Sequence, residues 1–270
     1  MFINKLNSMK EKYNYIIYKI SDGVAEIKLN RTEVLNSLNY EMADELIKSF
    51  EDCKVNNKVR AVVLTGNGRA FCAGQDLEEA TKEGGPSISE IIDHTYNPIV
   101  KRITELNKPV ICYVNGVAAG AGANLAICCD ITFAAKSAKF VQSFINIGLV
   151  PDSGGTYYLP RNIGKQKAAG LMFSGDKLSA EEAEKIGMIY KAIEDDNGYK
   201  EALDFATRLS LMPTKSIGLI KELLYKSDGN DLSGQLEFEK QQQSIAAGSK
   251  DYKEGVNAFL EKRKPDYIGE

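Results

Sequence analysis

The sequence predicts an α/β protein with a parallel core, because apolar strands alternate with amphipathic helices and two of those strands run into loops of glycine and alanine. Val110 to Val114 is a continuous apolar strand. It leads into Gly116-Val117-Ala118-Ala119-Gly120-Ala121-Gly122-Ala123-Asn124-Leu125 and an apolar helix. Arg60 to Thr65 reads as a buried strand that passes through Gly66-Asn67-Gly68 into Ala70-Phe71-Cys72-Ala73-Gly74-Gln75-Asp76-Leu77. Small residues let main-chain N–H groups approach a ligand, and a helix starting after Gly120 aims free N–H groups and the positive end of its dipole outward. Two such loops can point two N–H groups at one carbonyl oxygen, which is what an oxyanion hole requires. The alternative is a pair of tight turns whose glycines only ease packing.

The other elements follow in order. Tyr15 to Ile20 and Val24 to Leu29 flank Ser21-Asp22-Gly23 and read as a β-hairpin. Asn39 caps a helix from Tyr40 to about Lys54, with Met42, Leu46, Ile47 and Phe50 on one face. A loop from Glu78 to Pro86, a helix from Ile88 to Leu106 and a short strand from Ile131 to Ala134 continue the alternation. Beyond Asp152-Ser153-Gly154-Gly155-Thr156 the pattern turns helical: Ser179-Ala180-Glu181-Glu182 is a capping box and Met188 to Ile193 is the last strand. Three amphipathic helices lie near Pro213 to Lys226, Leu232 to Ala247 and Tyr252 to Lys262, giving a core over 1–211 and a C-terminal helical region over 212–270.

Composition narrows the chemistry. The 270 residues are 43% hydrophobic and 26% charged with a formal charge of −3, which fits a globular protein with no nucleic-acid-binding face. No apolar run is long enough to span a bilayer, and the polar start from Met1 to Tyr15 has no signal-peptide core, so a cytoplasmic location is expected. Cys53, Cys72, Cys112, Cys128 and Cys129 form no Cys-x-x-Cys pair and read as buried thiols. His94 is the single histidine and reads as a solvated or packing residue, so a zinc site or a histidine-activated nucleophile has little material.

Ala73-Gly74-Gln75-Asp76 and Val114-Asn115-Gly116 with the glycine-rich run behind it resemble the crotonase, or enoyl-CoA hydratase/isomerase, superfamily. The likeness extends through Lys108-Pro109-Val110-Ile111, Cys129-Asp130-Ile131, Gly148-Leu149-Val150-Pro151-Asp152, Leu159-Pro160-Arg161 and Leu178-Ser179-Ala180-Glu181-Glu182-Ala183. It implies a spiral of ββα units with a C-terminal helical trimerisation region, an acyl-CoA thioester substrate with CoA as part of it and no separate cofactor, and a homotrimer or hexamer. It also implies that the N–H groups of Gln75 and Ala121 hold the thioester oxygen, with Ala73, Gly74, Asp76, Leu77, Gly120, Tyr96, Phe144 and Lys262 around the substrate. Each fixed donor would contribute on the order of 3 kcal/mol to an incipient enolate.

The hydratase pattern places two glutamates where this chain has Asn124 and Phe144, so neither position offers a carboxylate to activate water. One acid remains, Asp152, at the position where the isomerase branch of the superfamily (ring-epoxide phenylacetyl-CoA and Δ3,Δ2-enoyl-CoA isomerases) carries its catalytic aspartate. Its expected role is a base that takes a proton beside the thioester and returns it two carbons away, with Phe144 and Val150 excluding water and raising its pKa. The plainer reading is an aspartate capping a helix that begins near Ser153. A hydratase using Asp152, or a CoA-thioester-binding protein without catalysis, are the competing functions. Arg31, Lys58, Lys262 and Lys264 are candidate cations for the CoA phosphates, and Tyr96, Phe140, Phe144, Tyr157 and Tyr158 are candidate lining for an aromatic acyl pocket.

Overall fold

A computed structural model describes residues 13–270, so the expectation for the polar start lies outside the described residues as far as Lys12. Strands β1 (Ile16–Ser21) and β2 (Val24–Leu29) form the expected antiparallel hairpin, with Asp22 and Gly23 at φ of +51° and +78°. Two positive φ values suit the tight turn whose twist matches the strands. Next come α1 (Tyr40–Val55), β3 (Ala61–Gly66), β4 (Ala70–Cys72), α2 (Leu77–Ala80), α3 (Ile88–His94) and α4 (Tyr96–Glu105). The middle of the chain gives β5 (Val110–Val114), β6 (Val117–Ala119), α5 (Ala121–Ile127), β7 (Ile131–Ala135) and β8 (Lys139–Val141). The remainder is α6 (Gly155–Ile163), α7 (Lys165–Ser174), β9 (Lys177–Ser179), α8 (Ala180–Lys185), β10 (Lys191–Ile193), α9 (Gly198–Ser210), α10 (Thr214–Ser227), α11 (Leu232–Ala247) and α12 (Lys250–Glu261).

The strands make two sheets. The larger runs β1-β2-β3-β5-β7-β10, parallel from β2 onward; the smaller runs β4-β6-β8-β9, parallel except for β9. Every residue of β5, and all but the last of β3, is buried, as in a parallel sheet covered on both faces. Each long strand hands the chain to a short one beside it, β3 to β4, β5 to β6 and β7 to β8, so that successive turns of the chain stack. The turns after β4 and β6 therefore emerge side by side, because β4 and β6 are hydrogen-bonded neighbours. No helix among the described residues is long and apolar enough to cross a membrane.

Four expected elements differ. The helix expected from Ile88 to Leu106 is two helices broken at Thr95, whose φ and ψ are −107° and −74°. Pro98 has no N–H to offer His94 O, and the Thr95 hydroxyl donates to Ile91 O at 2.7 Å, capping the earlier turn. The loop after Asp76 begins with the short helix α2. The strand expected from Met188 shrinks to Lys191–Ile193 because Met188 N donates to Ala183 O at 2.8 Å, turning off α8 first. Ser179 caps α8 by accepting from Glu182 N at 3.2 Å, but the reciprocal box forms instead between Ser87 and Glu90.

Candidate active site

The two glycine-bearing turns meet. A side chain on Gly74 would come within 2.9 Å of Ala119 O and 3.6 Å of Ala121 N, and Gly74 sits at φ +96°, a conformation that favours glycine. Gly120 is at φ +53° and its N–H donates to Val141 O at 2.8 Å, which fixes the turn into α5. Leu38 N donates to Gly74 O at 2.7 Å and Asp76 N donates to Leu38 O at 3.0 Å. This bridge occupies the groups on either side of Gln75 and leaves the Gln75 N–H with no acceptor among the described residues. Ala121 opens α5, so its N–H also has no intrahelical partner, and the residue is only 3% exposed. Two unspent donors on touching turns are suited to one oxygen that gains charge during a reaction.

Phe144 is buried, on a 3-10 turn over Ser143–Ile147, with its ring edge within 4 Å of where a Gly120 side chain would stand. Val150, expected to share the apolar wall, is 80% exposed in the isolated chain, so Phe144 supplies that wall without it. Asp152 is partly buried, and burial raises its carboxyl above the usual aspartate range while the Ser153 hydroxyl, donating at 2.8 Å, pulls it back. The capping alternative fails here: α6 starts at Gly155 with Gly154 at its N-cap and no side-chain cap, and the Asp152 group that meets Gly155 N is its backbone carbonyl, at 2.9 Å. If Asp152 transfers protons, its raised pKa should cut activity on the acid side at a pH above the 3.8 of an ordinary aspartate, a limb that a kcat-against-pH profile would display.

Tyr96 begins α4, is 1% exposed, and has a hydroxyl with no hydrogen-bond partner among the described residues. Burial pushes that hydroxyl well above its ordinary pKa, and the fields of Cys72, Asp152, Glu79 and Asp76 add to the rise. An orphaned buried hydroxyl costs about 1 to 3 kcal/mol. Tyr96→Phe should therefore leave the thermal midpoint equal or raised, and a fall of several degrees would show that the hydroxyl is paired.

The other candidates divide. Asp76 is committed inside the protein: one carboxylate oxygen accepts from Glu78 N and Glu79 N at 3.1 and 3.3 Å, and the other from Arg31 at 2.8 Å. It serves as the α2 cap and an anchor for Arg31, a role the motif did not reveal. Ala73 is half-buried beside it and Leu77 is exposed at the rim. Lys58 and Lys264 are exposed, and Lys262 is exposed at the end of α12. Phe140 is buried in β8. Tyr157 and Tyr158 line a cavity of ≈ 490 Å³ with Tyr225, Lys221 and Ile127, between α6 and α10 rather than at the two turns. His94 lies on the surface against Asp44 at 3.0 Å.

The sequence missed Asn124 as a partner of Asp152. Its amide nitrogen donates to Asp152 O at 2.9 Å across 28 positions, and no local pattern signals such a bond.

Residues 19–270 match the family described as Enoyl-CoA hydratase/isomerase. The 1,2-epoxyphenylacetyl-CoA isomerase of Escherichia coli (strain K12) is 44% identical over 258 residues, 94% of this chain and 98% of that protein. The "Probable enoyl-CoA hydratase" of Rhodobacter capsulatus is 41% identical over 257 residues, 95% of this chain and 99% of that one. Among solved structures, an enoyl-CoA hydratase from Bacillus anthracis superimposes with a TM-score of 0.89 at 32% identity, covering 95% of this chain and all of that one, 100%.

Proposed function

Because the chain belongs to the enoyl-CoA hydratase/isomerase family, we propose that it isomerises an unsaturated or ring-epoxidised acyl-CoA with Asp152 as its single proton-transferring group. The observation that carries this reading is the pair Asn124 and Phe144 at the two glutamate positions of hydratases, with one partly buried carboxylate, Asp152, remaining in the facing loop. The thioester oxygen sits between the Gln75 and Ala121 N–H groups. Asp152 takes a proton from the carbon next to the thioester or from the one two carbons further on. The electron pair left behind delocalises into an enolate whose charge the two donors stabilise, and the proton returns at the other carbon. CoA enters as part of the substrate and no further cofactor is required.

Hydration needs a group to activate water. The Asn124 amide is engaged at both ends, with Asp152 O and with Gln142, and the Phe144 ring carries no acid or base. The apolar residues Leu232, Phe259 and Leu260, exposed on the C-terminal helices, support assembly as a trimer or a hexamer, which sedimentation would read directly. Five thiols, all free and buried, suit a reducing cytoplasmic setting. The substrate class is tested by a panel: a ring-epoxide phenylacetyl-CoA against linear 3-enoyl-CoAs. Turnover of either class supports the reading, and turnover of neither by folded enzyme contradicts it.

A further inference from the structure

We infer that Asn124 is a positioning residue for Asp152, locking the loop that carries the carboxylate to the helix that carries the Ala121 N–H. The inference rests on the isomerase reading above.

Asn124 is completely buried, at the fourth position of α5, and its own N–H closes the first turn onto Gly120 O at 3.1 Å. A backbone carbonyl can only accept, so the amide nitrogen must face Asp152 O, at 2.9 Å. That orientation turns the amide oxygen to Gln142, whose Nε2 donates to it at 2.9 Å. Gln142 is itself buried and follows Val141, the residue whose carbonyl receives the Gly120 N–H. One chain of bonds thus joins the end of β8, the turn that presents Ala121 and the backbone of the base.

The seat is built for this amide. A side chain at Gly155 would lie 2.3 Å from the Asn124 nitrogen, so Asn124 reaches Asp152 O only because residue 155 has none. The chain after Asp152 passes through two left-handed residues, Ser153 at φ +52° and Gly154 at φ +75°, and Ser153 then donates to the Asp152 carboxylate at 2.8 Å. A non-glycine residue in that region is strained and needs its surroundings to hold it. Asn124 and Gly155 N hold the preceding carbonyl in place, each at 2.9 Å. Where hydratases carry an acid, this chain therefore carries a clamp. Misplacing a reacting group by about 1 Å can cost about a hundredfold in rate, so loss of the clamp should be seen in kcat more than in binding.

The test compares wild type, Asn124→Ala, Asp152→Asn and the double variant in one direct isomerase assay. Asn124→Ala is expected to lower kcat about tenfold to a hundredfold with KM within about twofold. A freed carboxyl also reaches more water, so the acid limb of kcat should move to lower pH, towards that of an ordinary aspartate. In the double variant the loss should equal that of Asp152→Asn alone, because the clamp then has no base to position. If Asn124→Ala fails to fold, Gln142→Ala removes only the far bond and should give a smaller kcat loss with a smaller shift of the acid limb in the same direction. If Asp152→Asn is inactive while the folded clamp variants keep wild-type kcat and pH profile, the inference is overturned and the isomerase reading survives. If Asp152→Asn keeps full turnover, that reading falls and the inference falls with it.

Discussion

Asp152→Asn should lower the isomerase kcat by roughly a hundredfold to ten-thousandfold, leaving acyl-CoA affinity nearly unchanged. The substitution keeps the size of the side chain and lets it still accept from Ser153, so the loop is preserved while the base is removed. Its effect on stability has a defined sign. Burial raises the Asp152 pKa in the folded state, so the folded protein holds this proton more tightly than the unfolded chain does. Its contribution to stability is present at low pH and is lost as pH rises through the aspartate range. At neutral pH the ionised form opposes folding, and Asn should leave the thermal midpoint equal or raised. Low turnover together with a clearly lowered midpoint would point to a damaged loop instead of a missing base. Binding measured beside turnover also separates an isomerase from a protein that only holds CoA thioesters, since the latter loses nothing in this variant.

Gly120→Pro should cost at least about a hundredfold in turnover, or about 2.7 kcal/mol of transition-state stabilisation. Proline cannot reach φ +53° and has no N–H for Val141 O, so the turn that aims the Ala121 N–H must change. Gly120→Ala is the companion that separates strain from chemistry. It keeps the N–H, pays for a left-handed conformation, and brings a methyl within 3.1 Å of Ser143 Oγ. Alanine should retain a larger share of activity than proline. Near-normal kcat in a folded Gly120→Pro enzyme would argue against an oxyanion hole at this turn.

What could be read from the sequence was local. The Asp22-Gly23 hairpin, the Asn39 cap and the two small-residue turns each depend on residues close in the chain, and each is where the pattern put it. The smaller sheet was not legible. Its strands β4, β6, β8 and β9 have three residues each, too few for a periodicity; β4, β6 and β8 exist because β3, β5 and β7 deliver them side by side, and β9 adds to β8 from the chain after α7. The break at Thr95 hides inside a helical pattern until the missing N–H of Pro98 is counted. Asp76 looked like part of a ligand loop, yet its carboxylate is taken by Arg31 and by the start of α2. Val150 is apolar and two residues before Asp152 but exposed, which hydropathy alone does not distinguish. Asn124 was legible as an acid that is absent, and its bond to Asp152 O became visible only in three dimensions.

If one carboxylate moves a proton along the acyl chain and no group activates water, the isomerisation of a linear 3-enoyl-CoA or ring-epoxide phenylacetyl-CoA and the hydration of crotonyl-CoA, measured in one enzyme preparation, should differ widely. The faster isomerisation is expected to exceed hydration by at least about a hundredfold, the low end of what a positioned acid or base contributes. Hydration as fast as isomerisation, or faster, would rule out Asp152 as a lone proton shuttle in an isomerase.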